Sequence, residues 1–279
     1  MSAAARRERI ERIERLQARL LAQASIEPVP DWLPVLLAGE RIGTASADVA
    51  SLLASTDPRC ALLDYCLVFD DEALDRPGRS ALLNDLAVKL HEAGLMRGWR
   101  NEQLDVRPLA DAPAGAVLAT IERAACRALG IATHAVHLNA FAPDGRLWVA
   151  QRAAHKSVDP DLWDNLVGGM VSAGEPELLA LEREAHEEAG LSLHGLAVRR
   201  GVLLREQRPL PEGHMVETVQ VFDAVLPPGF VPRSVDGEVQ RFELRSADAV
   251  LSAIERGEFT IEAALVALDG LLRQEAHHD

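Results

Sequence analysis

Apolar positions follow helical spacing near both ends of the chain and alternate in twos in its middle. Ile10, Ile13, Leu16 and Leu20 recur at helical spacing among charged residues, which predicts an amphipathic helix over residues 6–23. Pro28, Pro30, Pro34 and Pro77-Gly78 then punctuate short helices and strands. Ser80 is placed to cap a helix carrying Leu82, Leu83, Leu86 and Leu90, with a stop near Gly94. Residues 105–115, with Pro108 and Pro113, read as a connector, and residues 117–129 as a helix ended by Gly130. Beyond residue 130 the rhythm changes. Residues 135–141 and 147–151 read as strands joined at Asp144-Gly145, and residues 198–204 and 216–225 as further strands. Pro176 opens a strong helix that Gly190 ends, and helices over 247–255 and 261–274 close the chain. This order predicts two units: an α+β domain over residues 1–129, then a larger α/β domain over 130–279 with a mixed sheet covered by helices.

Composition narrows the classes. The chain has 279 residues, 48% apolar and 26% charged, which excludes global disorder. No run of 18 apolar residues occurs, so no membrane span is expected. A net charge of −14 and 4% aromatics argue against nucleic acid, which needs a basic face and stacking platforms. Cys60, Cys66 and Cys126 form no C-x-x-C pair and read as free thiols of a reducing cytoplasm. Arg6, Arg7, Arg9 and Arg12 alternate with Glu8, Glu11 and Glu14, unlike an acid-poor transit peptide. Such a helix suits packing on its own domain or a partner subunit, and permits a homodimer without requiring one.

Chemistry concentrates in the helix after Pro176. Glu184, Glu187 and Glu188 stand at i, i+3 and i+4, so three carboxylates share one narrow face, and Leu178, Leu181, Ala185 and Ala189 form an apolar stripe beside it. Like charges at that spacing oppose the helix by roughly 0.2–0.5 kcal/mol per pair. A hard divalent cation reverses that sign, since Mg²⁺ prefers carboxylate oxygens and keeps positions open for substrate phosphates. Arg183, one turn before Glu187, is placed to orient that carboxylate. A solvated acidic face is the plain alternative for the three glutamates alone. The full pattern is narrower: Gly169, five residues, Glu175, seven residues, then Arg183-Glu184-Ala185, Glu187-Glu188, Gly190 and Leu191.

That pattern resembles the Nudix box at all nine of its defined positions. The resemblance implies an α/β/α sandwich that hydrolyses a diphosphate linked to a further organic group. It implies Mg²⁺, with Mn²⁺ as a substitute, held by Glu184, Glu187, Glu188 and the Gly169 carbonyl, while Glu175 and Arg183 brace the loop and helix. A general base is still needed, and Glu238 is the candidate outside the box, with an ordinary turn acid as the alternative. Gly98-Trp99-Arg100-Asn101-Glu102, Ile121-Glu122-Arg123-Ala124-Ala125, His137-Leu138-Asn139 and Trp163-Asp164-Asn165 resemble a two-part Nudix subfamily related to thiamine pyrophosphokinase. That likeness implies thiamine diphosphate or an oxidised analogue as the leading small-molecule substrate, cleaved to the monophosphate and phosphate. Nucleotide-sugar and dinucleotide-coenzyme substrates stay open. A diphosphate isomerase of this fold needs a cysteine before the box helix, and no Cys follows Cys126. A ligand sensor without catalysis usually carries a damaged box.

Five further residues are candidates for the substrate. Arg152 and Lys156 lie between the second strand and the box, where they meet phosphates or remain solvated loop charges. His137 and Asn139 share one face of a strand, as pocket lining or as a buried hydrogen-bonded pair. Trp163 is either an aromatic wall for a heterocycle or a core residue.

Overall fold

The computed structural model describes residues 3–70, 72–156 and 158–276. The chain opens with α1 (Ala3–Gln23), followed by β1 (Leu33–Leu37), β2 (Glu40–Ala45), α2 (Ala47–Thr56), β3 (Cys60–Leu63), β4 (Cys66–Phe69) and α3 (Arg76–Glu92). A two-stranded ribbon, β5 (Gln103–Val106) and β6 (Ala119–Glu122), ends in a 3₁₀ turn at Arg123–Ala125. The strands β1 to β4 pair in the order β2-β1-β4-β3, with β1 and β4 parallel. Their core, with α2, α3 and the ribbon, is almost wholly apolar: Val35, Leu53, Leu67, Leu83, Leu86, Leu90, Ile121 and Leu129 are all fully buried.

The second body begins with β7 (Ala132–Phe141), β8 (Leu147–Arg152), β9 (Trp163–Asn165), β10 (Val167–Met170) and α4 (Glu177–Ala189). It continues with β11 (Arg199–Leu210), β12 (Gly213–Val225), β13 (Val239–Arg245), α5 (Ala247–Glu255) and α6 (Ile261–Ala276). The strands form a mixed sheet ordered β11-β12-β7-β8-β13, with β10 on β7 and β9 on β8; only β12 and β7 run parallel. Alternation along β7 sorts the layers. Val136, Leu138 and Ala140 pack under α4 with Leu181, Ala185 and Ala189. Ala135 and Phe141 face the opposite layer of α6, α5 and α1. This is the expected α/β/α sandwich, preceded by an α+β region.

Several local expectations are corrected. Helix α1 docks Ile13, Leu16 and Leu20 into the core of α5 and α6. Arg12 pairs with Glu255, and Arg9 with Asp248 and Glu275. The helix at 117–129 is instead β6 plus a 3₁₀ turn: Ile121 pairs with Leu104 and Thr120 with Asp105. Apolar spacing at Val117, Ile121, Ala125 and Leu129 mimicked a helix, because strand and turn each send side chains into the same core. Accordingly the connector at 105–115 begins inside β5. Ser80 lies inside α3, whose N-cap is Asp75, accepting from the Gly78 N–H at 2.9 Å; the Ser80 hydroxyl instead accepts from the Thr120 N–H. Leu178, in the first turn of α4, is 59% exposed rather than part of the buried stripe. β13 was not anticipated from the sequence; Gln240 stands on the face of Phe242 and Leu244, and the pairing with β8 slips between Val239 and Arg241. The Asp144-Gly145 hairpin, the stop of α4 at Gly190 (φ 61°) and the extent of α5 agree with the sequence reading.

Candidate metal and phosphate site

Strand β10 delivers two glycines back to back. Strand residues point to alternate faces, and neither face leaves room for a side chain. A Cβ on Gly168 would lie 2.5 Å from the His137 ring, and one on Gly169 would lie 2.0 Å from the Glu184 carboxyl carbon. The box glycine is therefore the cradle for the box glutamate.

Helix α4 aims two of the carboxylates, Glu184 and Glu188, at this strand. Buried Glu188 accepts the Gly168 N–H at 2.8 Å. Burial pushes its pKa up to about 8, aided by the charges of Asp164 and Glu184 and opposed by the Gly168 bond and Lys156. Burial also raises Glu184, against the pull of Arg183, while Glu187 stays half-exposed. The Arg183 guanidinium grips Glu175 with both arms, at 3.0 and 2.9 Å, and donates to the Met170 carbonyl at 3.0 Å and to Glu184 at 2.6 Å. Those bonds hold Glu175 below the usual carboxylate range, and Glu175 in turn accepts the Ser172 N–H at 3.1 Å. Glu187 receives only a marginal 3.5 Å contact, so Arg183 braces the loop more than it orients Glu187.

Three carboxylates on one helix face and a strand carbonyl are donors of the kind a hard cation prefers. Among the described residues, no three His, Cys, Asp or Glu side chains are gathered into a group that could hold a metal ion: Glu188 bonds the Gly168 N–H, Glu184 bonds Arg183, and Glu187 stays half-exposed.

The outer candidates fare differently. Arg152 commits its donors to its own loop, bonding the carbonyls of Asp159 at 3.1 Å and Val158 at 3.0 Å and the Asp164 carboxylate at 2.8 Å. It shapes the loop rather than offering a free cation. Lys156 pairs with Glu238, whose backbone carbonyl also accepts from Ala153. Burial alone would raise Glu238, but the Lys156 contact wins and lowers it. His137 and Asn139 lie buried on the α6 face. His137 bonds Asn165 at 2.7 Å and pairs with Glu262 at 2.9 Å; burial would lower its pKa, but Glu262 overrides this and raises it to about 10. Asn139 donates to Asp223 at 3.0 Å and to the Val266 carbonyl at 2.9 Å. Each is buried and bonded to its own partners rather than to the other. Trp163 is 4% exposed in the core, with the guanidiniums of Arg245 and Arg241 at 3.8 and 4.9 Å from its ring centre. It offers no wall to a ligand.

Sequence reasoning gave no role to Glu102, Arg123, Asp164, Glu217 or Glu262. Three of them sat in short matches quoted above. Those matches converge: Arg100 N–H bonds Glu122, Arg123 pairs with Glu102 at 2.7 Å, His137 bonds Asn165, and Asp164 holds Arg152. Glu102 also accepts the Ser172 hydroxyl at 3.2 Å, and Ala173 N–H bonds the Gln103 carbonyl at 2.8 Å, tying the ribbon to the box loop.

Residues 132–265 match the NUDIX domain. The chain is 32% identical over 202 residues to Nudix hydrolase 20, chloroplastic, of Arabidopsis thaliana, covering 70% of this chain and 53% of that protein. It is 33% identical over 208 residues to Nudix hydrolase 24, chloroplastic, of the same plant, covering 72% and 56%. The chain thus spans about half the length of the curated relatives it matches. The crystal structure of DR0079 from Deinococcus radiodurans aligns with a TM-score of 0.47 at 26% identity, over 62% of this chain and 98% of that one. Among the described residues no helix is long and apolar enough to cross a membrane.

Proposed function

We propose that the chain is a divalent-metal-dependent hydrolase of a small organic diphosphate, with Mg²⁺ as the ion. Its leading substrate is thiamine diphosphate or an oxidised analogue, cleaved to the monophosphate and phosphate. The observation that carries this reading is the Gly169–Glu184 cradle braced by Arg183 and Glu175. When bound, the ion lowers the pKa of an attacking water and screens charge on the diphosphate oxygens. Glu184, Glu187, Glu188 and the Gly169 carbonyl hold it. Glu238, kept ionised by Lys156, is the acceptor for the proton of that water. Arg152 fixes the loop that carries Lys156 and its ion pair to Glu238.

Charge supports the thiamine-type substrate. A cationic thiazolium is favoured near a protein of net charge −14, whereas a nucleoside triphosphate brings more negative charge and no positive end. The short matches outside the box point the same way, and the free thiols Cys60, Cys66 and Cys126 fit a reducing cytoplasm. The test is kcat/KM for thiamine diphosphate, its oxo analogue, ADP-ribose and a nucleoside triphosphate under one Mg²⁺ condition, with both products detected. A preference for the thiamine compounds is expected. A tenfold preference for either nucleotide overturns the substrate, and no turnover of any diphosphate overturns the activity.

A further inference from the structure

A diphosphate brought to this site needs cations beyond the metal, and those placed around the box are already committed. Arg183 serves Glu175 and Glu184, Arg152 serves its own loop, and Lys156 is paired with Glu238. Arg123 is different. It sits in the 3₁₀ turn after β6, outside the Nudix domain, yet within electrostatic reach of Glu184, Glu217 and Glu238. Among the described residues its side chain makes one hydrogen bond, from Nη1 to Glu102 at 2.7 Å, which leaves Nε and Nη2 unspent. Its position is fixed twice over. The Arg123 N–H bonds the Glu102 carbonyl at 2.8 Å, and Glu102 bonds Ser172 of the box loop. A fork held by one arm, with its other edge free and 38% of the side chain exposed, is the arrangement that grips a phosphate oxygen pair.

We infer that Arg123 is a substrate-binding residue that the N-terminal region lends to the Nudix site, gripping the substrate's diphosphate opposite the box carboxylates. This rests on the diphosphate reading above. It also gives the ribbon a function: pairing β5 with β6 brings Glu102 and Arg123 together and docks both on Ser172 and Ala173.

The test uses the full chain with Mg²⁺ and methylenediphosphonate, which cannot be hydrolysed, as the calorimetric probe. Arg123→Gln is expected to weaken binding at least about tenfold, the loss of a charge-assisted bidentate contact. Its Tm should stay within about 2 °C of wild type. In turnover, KM for the diphosphate substrate rises by a similar factor while kcat changes less than threefold, a split that a folding defect does not produce. Arg123→Lys, which keeps the charge but not the fork, should bind about threefold more weakly and supplies the test where Arg123→Gln is unstable. Equal affinity in wild type, Arg123→Gln and Arg123→Lys overturns the inference. So does a wild type that does not bind the probe. Probe binding that depends on Arg123 without hydrolysis of any diphosphate upholds it while refuting the hydrolase reading. Hydrolysis with an unchanged Arg123→Gln KM does the reverse.

Discussion

The core beneath α3 and the sheet edge beneath α4 are built by opposite choices. Around α3, residues such as Leu83, Leu86 and Leu90 are fully buried among other hydrocarbon side chains, and the two acids buried nearby have their partners: Asp57 pairs with Arg59 and Lys89, and Glu122 accepts the N–H groups of Arg100 and Ala124. Under α4 the apolar stripe of Leu181, Ala185 and Ala189 is as dry, but one step around the helix Glu188 is buried as well and Glu184 largely so. Burying a carboxylate without a cation costs stability, and its raised pKa is the sign of that cost. The first region contributes stability without chemistry. The second gives up stability to hold two buried carboxylates against a strand of glycines. The two meet at the ribbon, where Glu102 touches Ser172.

The sharpest way to break this contrast is to empty the first core. Leu86→Ala should cost about 2–5 kcal/mol in chemical denaturation while kcat stays within twofold. A large loss of kcat at a temperature where the variant is folded would mean the α3 core shapes the site directly.

A smaller effect should appear in the pH dependence of the metal-free protein. Glu188 binds its proton more tightly folded, with a pKa of about 8, than unfolded near 4.5. Its contribution is therefore most favourable below about pH 4.5 and is lost as pH rises through 8. The His137–Glu262 pair slopes the same way, its stabilisation present below about 6.5 and lost as pH rises through 10. In EDTA, Tm should fall between pH 5 and 8, and Glu188→Gln should flatten that fall by about 2–4 °C. Parallel curves for wild type and variant would show that Glu188 is not the buried acid responsible.

The same contrast decided what was legible in the sequence. The α4 helix was readable because caps and period coincide: Pro176 and Gly190 bound it, and the nine positions of the full pattern, not the three glutamates alone, narrowed its reading. Residues 117–129 were misread because a strand and a tight turn repeated the apolar spacing of a helix. The roles of Arg152, Trp163, His137 and Asn139 were not readable, since whether a donor is spent or a ring covered depends on partners far along the chain. Arg152 loses its freedom to Asp164 and two loop carbonyls, Trp163 is covered by Arg245, and Asn139 reaches Val266. Arg123 is the converse case: an unremarkable arginine in sequence that β5–β6 pairing carries to the edge of the box.

The central claim is that the carboxylates of α4 hold the metal that cleaves a diphosphate. The most direct measurement is a Mg²⁺ titration of diphosphate hydrolysis by wild type, Glu187→Gln and Glu188→Gln, each checked for folding by its Tm. An amide binds Mg²⁺ far more weakly than a carboxylate, so each variant should lose at least about 10²-fold in kcat while its metal-free Tm holds or rises. Near-normal hydrolysis by both variants at saturating Mg²⁺ would contradict the account.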